Sequence, residues 1–147
     1  MEFAKKQYDG PFEVVMVELQ IEDQMFKGIM YFPPSEFKRP HPIIIYFHGF
    51  PQLFTLQEIA RNYQYLLERG YVLLIFNFRG YNLSDGVISI KNQVTDALKI
   101  IEFVNSMAKK QIIIKDDINI LAHDFGGYIA LITCSKINFR LCTLLFH

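Results

Sequence analysis

Ile118-Asn119-Ile120-Leu121-Ala122-His123-Asp124-Phe125-Gly126-Gly127-Tyr128-Ile129-Ala130-Leu131 reads as a strand, a tight turn and a helix in immediate succession. Ile118, Ile120 and Ala122 alternate as a buried strand requires, and Tyr128 to Cys134 supplies an apolar helix face directly after two glycines. Asp124 stands at the corner. Ala122 and Gly126, two residues to either side, carry little or no side chain, so the backbone can take a strained bend there without a clash. Gly127 lets the helix approach the strand closely. An aspartate at a helix start is also an ordinary N-cap, but the small residues around it suit a sharper bend than a cap needs.

The flanking chain repeats the alternation of strand and helix. Val15, Val17, Leu19 and Ile21 alternate with Met16, Glu18, Gln20 and Glu22, and a turn at Glu22-Asp23-Gln24 leads into a second strand, Met25 to Phe32. This is a hairpin with one wet face. Pro33 to Pro42 is an extended surface connection, and Ile43 to Phe47 a short apolar strand covered on both sides. His48-Gly49-Phe50-Pro51 stops that strand in a turn that exposes backbone N–H groups. Thr55 and Glu58 form a capping box for a helix with Leu56, Ile59, Ala60, Tyr63, Leu66 and Leu67 on one stripe, stopped by Gly70. Val72 to Phe78 is the next strand, Arg79 to Gly86 a loop, and Val94, Ala97, Leu98, Ile101, Val104 and Ala108 mark another helix that ends at Lys109-Lys110. A last buried-type strand spans Leu141 to His147.

Hairpin followed by strand-helix units predicts an α/β fold: a mostly parallel sheet of six strands with helices on both faces, residues 1–147 forming one domain. The loops after Phe47 and after His123 leave the same carboxyl edge, where open α/β sheets bind ligands at a reversal of strand order. The chain has 147 residues, 51% of them hydrophobic, and zero net charge with lysines and arginines scattered among acids. That pattern lacks the electrostatic footprint of a nucleic-acid or anionic-membrane partner and points to a small-molecule substrate. Met1 to Gly10 has no apolar run and no stretch approaches membrane-spanning length, which leads to an expected cytoplasmic location. Cys134 and Cys142 are expected as buried thiols, neither a disulfide framework nor a zinc site, and no metal or cofactor is called for.

These residues resemble the amino-terminal portion of an α/β-hydrolase. His48-Gly49-Phe50-Pro51 resembles the oxyanion-loop motif HGxP of epoxide hydrolases. Asn77-Phe78-Arg79-Gly80-Tyr81-Asn82-Leu83-Ser84-Asp85-Gly86 is similar to the loop DxRGxGxSDG of serine aminopeptidase-like enzymes. Ala122 to Gly127 matches the nucleophile elbow, with aspartate where most esterase- and peptidase-like relatives have serine and where epoxide hydrolases and haloalkane dehalogenases have aspartate. Asn77 replaces the usual aspartate of the second motif and Asn82 the usual glycine; Asn82 is expected to be able to adopt the left-handed conformation.

The resemblance implies a hydrolase in which Asp124 is the nucleophile and the backbone N–H groups of Phe50 and Phe125 hold the oxyanion. The substrate would be an epoxide, a haloalkane or an ester, and His48, Gly49, Pro51 and His123 the residues around it. A carboxylate attacks an electrophilic carbon without prior deprotonation, but hydrolysis of the resulting ester needs a histidine base and its acid. His123 is expected to point away from Asp124, His48 to pack beneath its own loop, and His147 to be the least implausible base. Family order places acid, base and lid further along a longer chain, so the chain reads as truncated after its sixth strand. Leu141 to His147 would then be an unguarded apolar edge. The competing reading is an inactive remnant or interaction module that self-associates, or pairs with a partner, through that strand.

Overall fold

The computed structural model describes residues 6–82, 84–137 and 144–146. The sheet opens with β1 (Gln7–Asp9), exposed throughout and announced by no apolar alternation, which pairs antiparallel with β2 (Phe12–Ile21). β2 and β3 (Gln24–Tyr31) form the expected hairpin, closed by the two-residue turn Glu22-Asp23 with Glu22 at φ +56°. β3 pairs antiparallel with β5 (Val72–Phe76), and β5, β4 (His41–Phe47), β6 (Ile113–Ala122) and β7 (Leu144–Phe146) run parallel. The order is β1-β2-β3-β5-β4-β6-β7, seven strands among the described residues rather than six. Of the expected last strand, Leu144–Phe146 is described; Leu141, Cys142, Thr143 and His147 lie outside the described residues.

From β4 the chain passes through α1 (Leu56–Asn62) and α2 (Gln64–Leu67) to β5 on one side, then through α3 (Ile90–Lys109) to β6 on the other. Strand order therefore reverses at β4, and the crevice outside its carboxyl end is the place such sheets offer a ligand. Alternating residues separate the two faces. Ile44, Tyr46, Leu73, Ile75 and Leu121 pack with Leu56, Ile59, Ala60 and Leu67 of α1 and α2. Ile43, Ile45, Phe47, Leu74, Phe76 and Ile120 pack with Val94, Ala97, Ile100, Ile101 and Val104 of α3 and with Ile129 and Ala130 of α4 (Phe125–Lys136). Helices thus cover both faces, as the alternation of elements predicts.

The first helix begins at the capping box: Thr55 Oγ1 accepts from the Glu58 amide at 3.2 Å while Glu58 accepts from the Thr55 amide at 2.8 Å. It breaks at Tyr63, whose backbone leaves the helical region and whose ring lies 5.4 Å from that of Tyr46. On α4 the buried face is Gly126, Gly127, Ile129, Ala130 and Thr133, while Tyr128 and Leu131 are each half exposed. The helix is apolar all round, so hydrophobicity alone does not select its inner face.

Where β5 ends, the loop from Asn77 to Gly86 continues along β3. The Asn77 amide donates to Lys27 O, the Asp85 amide to Met25 O, Lys27 N–H to Ser84 Oγ, and Met25 N–H to the Asp85 carboxylate. Ser84 and Asp85 are thereby occupied in holding the loop to the hairpin.

Candidate active site

At the end of β6 the His123 amide still donates to Phe47 O, at 3.0 Å, and the next residue bends the chain. Asp124 has φ +50° and ψ −122°, a conformation that an L residue holds only at a cost of about 1–3 kcal/mol. Its side chain makes no capping bond to α4 and is exposed. The N-cap explanation of this aspartate therefore fails. Tightness explains the small neighbours: a Cβ on Gly126 would stand 2.3 Å from Phe47 O and 2.6 Å from His48 O, backbone atoms that cannot yield. The corner is a strained strand-to-helix bend with a carboxylate at its apex.

Gly49 faces that apex. A Cβ placed on it would lie 3.1 Å from Asp124 Oδ2 and 3.2 Å from His123 Cδ2, so glycine keeps open the space in front of the carboxylate. The same geometry corrects the expected orientation of His123. Strict alternation along a strand would turn it away from Asp124, but the bend ends the alternation and both side chains border Gly49. Phe50 and Pro51 are exposed on the loop that follows. Among the described residues neither the Phe50 amide nor the Phe125 amide donates to a protein acceptor; Phe125 opens α4, where N–H groups have no intrahelical partner.

His48 packs beneath its own loop, as expected. It is 2% exposed, its Nδ1 lies 2.9 Å from Gly49 O, and its Nε2 accepts from the Phe78 amide at 3.3 Å. Both ring nitrogens are used, which sets the tautomer with the proton on Nδ1. The ring is wedged against Phe78 at 5.0 Å and Tyr81 at 4.6 Å. It fastens the turn after β4 to the loop after β5. Burial pulls its pKa down to about 4, against an upward pull from the Gly49 carbonyl, so the ring is neutral at pH 7. Unfolded, it would take a proton near the ordinary 6.5, so this contribution to stability is whole above pH 6.5 and declines as the pH falls towards 4. The loss is about 3 kcal/mol. Urea unfolding of the native chain and of His48→Gln at pH 7 and pH 4 is expected to show their stability difference shrinking by that amount.

Two polar contacts that sequence periodicity does not reveal brace the same edge. Arg79 Nε donates to Asp96 Oδ1 at 2.6 Å and the Arg79 amide to Asp96 Oδ2 at 2.8 Å, with Asp96 fully buried on α3. Burial raises the Asp96 pKa, and the bonds from Arg79 oppose it. Its signal in the sequence is position: Asp96, Ile100, Phe103 and Met107 lie on one stripe of α3 and all are buried. Gln52, just past Pro51, donates to Asn77 Oδ1 at 2.6 Å and accepts from Asn82 at 3.0 Å. Asn82 has the left-handed backbone expected of it, φ +42°. The two asparagines that depart from the usual motif are thus joined through one amide.

Three sites named from sequence therefore converge, Gly49, His123 and Asp124, with the Phe50 and Phe125 amides at the ends of the two loops that carry them. His41 lies at the start of β4, at the other end of the strand. His147 lies outside the described residues. Cys134 is half buried on α4, and Cys142 is not among the described residues. No helix among the described residues is long and apolar enough to cross a membrane.

A sequence profile of the alpha/beta hydrolase fold matches residues 42–140, from the start of β4 past the end of α4. No curated protein sequence matches the chain. Among solved structures, a cold-adapted esterase from an Arctic intertidal metagenomic library is similar with TM-score 0.71 at 12% identity, over 98% of this chain and 65% of that one. A variant of Vigna radiata epoxide hydrolase is similar with TM-score 0.65 at 20% identity, over 94% of this chain and 39% of that one. The α/β hydrolase GrgF from Penicillium sp. sh18 gives TM-score 0.69 at 23% identity, over 90% of this chain and 45% of that one. These identities speak for the fold alone, and the chain spans from 39% to 65% of the length of the three proteins. With the matched region covering both loops and the bent corner between β6 and α4, the chain belongs to the α/β-hydrolase fold family.

Proposed function

We propose that the chain is part of a hydrolase that acts on a small organic electrophile, an epoxide or haloalkane ahead of an ester, with Asp124 as nucleophile. The observation that carries this reading is the strained, uncapped aspartate facing Gly49. An Asp124 oxygen attacks the electrophilic carbon as the carbon–oxygen or carbon–halogen bond breaks. For an epoxide the ring oxygen takes up a proton from solvent, leaving a hydroxyalkyl ester on Asp124. Water, giving its proton to a base, then adds to the ester carbonyl, and the Phe50 and Phe125 amides receive the negative charge on the carbonyl oxygen. Collapse of that intermediate releases the diol from an epoxide, or the alcohol from a haloalkane, and restores the carboxylate. Gly49 and Pro51 shape the approach and His123 borders it. His48 is kept for the loop, because a neutral ring with both nitrogens engaged has nothing left for substrate. The serine aminopeptidase-like character of the Asn77 to Gly86 loop adds no serine nucleophile at the elbow.

The test is incubation with an aryl epoxide, an iodoalkane and a p-nitrophenyl ester, followed by intact mass. A single adduct from the epoxide or iodoalkane is expected in the native chain and in the surface control Asp116→Asn, and none in Asp124→Asn. Equal labelling of Asp124→Asn would refute the assignment. A second reading, an interaction module that pairs with a second copy or a partner through β7 (Leu144–Phe146), has in its favour the place of β7 at the end of the strand order among the described residues. Charge substitution at Leu145 would then leave labelling intact and abolish self-association.

A further inference from the structure

A cavity lies at the end of the sheet opposite Asp124. It occupies about 180 Å³ between Met30, Phe32, Val15, Met107 and Ile112, with Lys6, Glu13 and Arg39 at its mouth. Ile112 immediately precedes β6 and Arg39 precedes β4, so the cavity sits at the amino ends of the strands whose carboxyl ends carry Asp124. Ten residues of β6 lie between, about 30 Å of extended chain.

Its two halves differ in chemistry. Met30 and Met107 are buried almost completely, Phe32 nearly so, and methionine side chains adapt to tails of irregular shape. At ~30 Å³ for each water-sized group, the space takes roughly six heavy atoms. At the mouth, Lys6 is 3.7 Å from Glu13, which offsets one positive charge. Arg39 is left over. Its guanidinium lies 5.2 Å from the centre of the Phe32 ring, at the boundary of the apolar space, and it enters no ion pair among the described residues. Among the described residues the cluster therefore carries one uncompensated positive charge, on a planar group that suits a carboxylate and lines an apolar pocket.

We infer that this cavity binds an amphipathic monoanion, a medium-chain carboxylate, with its tail among Met30, Phe32 and Met107 and its head on Arg39. The site is independent of the chemistry at Asp124. Isothermal titration calorimetry of the full chain with octanoate tests it. Saturable binding of one equivalent is expected, not reproduced by octanol or octylammonium at the same concentration. Arg39→Ala is expected to weaken it at least about tenfold and Arg39→Lys by less, because lysine keeps the charge but not the planar fork. Asp124→Asn should leave it unchanged. Equal affinity for octanol, an unaffected Arg39→Ala variant, or loss of binding in Asp124→Asn would each overturn the inference, the last by moving the ligand to the carboxyl edge.

Discussion

Asp124→Gly is expected to abolish covalent labelling by epoxides and at the same time to make the chain more stable. The two effects have one origin. At φ +50° and ψ −122° the aspartate sits in backbone territory that glycine enters freely, and its carboxylate repays none of that strain through a hydrogen bond to α4. Relief of roughly 1–3 kcal/mol of strain is partly offset by the greater freedom of glycine in the unfolded chain, worth about 0.4–1 kcal/mol. A net gain of about 1 kcal/mol is expected in urea unfolding. Asp124→Asn keeps the strain and is expected to leave stability within about 0.5 kcal/mol of the native chain. Both variants lose the nucleophile, so the rate of adduct formation should fall by about 10⁴-fold or more. A loss of stability in Asp124→Gly would mean that the carboxylate is a structural cap after all.

Asp96→Ala is expected to have the largest effect on stability, a loss of about 3–5 kcal/mol. The substitution leaves the Arg79 guanidinium buried without its partner, and it also orphans the Arg79 amide, which donates to the same carboxylate at 2.8 Å. Against a total of about 5–15 kcal/mol for a domain, that is enough to populate unfolded chain under mild conditions. Asp96→Asn retains an acceptor but not the charge, and should fall between. Replacing both partners, Arg79→Met with Asp96→Leu, is expected to recover most of the loss, because the cost lies in the isolated charge rather than in the absence of the pair. A change below 1 kcal/mol in Asp96→Ala, measured by urea unfolding at pH 7, would contradict this. The pair matters to the site because Arg79 lies two residues after Asn77, the residue that holds Gln52 and so the loop bearing Phe50.

The features legible in the sequence are those with a local physical signature. The bent corner shows itself because a bend that tight leaves no room for a Cβ at Gly126, and the first helix because Thr55 and Glu58 cap each other across three residues. The helices on both faces follow from the alternation of strand and helix along the chain. What stays hidden depends on distance along the chain. The Arg79–Asp96 pair joins residues 17 apart, and Gln52 meets Asn77 and Asn82 across 25 and 30 residues. No periodicity records such contacts. β1 is too short and too exposed to announce itself by an apolar pattern, and α4 is too uniformly apolar to reveal which side is inside. His123 is misjudged for a different reason: strand alternation is extended one residue beyond the point at which the backbone ceases to be a strand.

The central claim is that this bent corner presents a nucleophilic carboxylate rather than a merely exposed one, and its neighbour supplies the control. His123 borders the same space and is itself a competent nucleophile toward epoxides. Peptide mapping of the epoxide-treated chain, before and after hydroxylamine, separates the two. The expected result is one modified peptide spanning Asp124, carried as an ester that hydroxylamine removes. A hydroxylamine-resistant adduct on His123, with Asp124 unmodified, would contradict the claim.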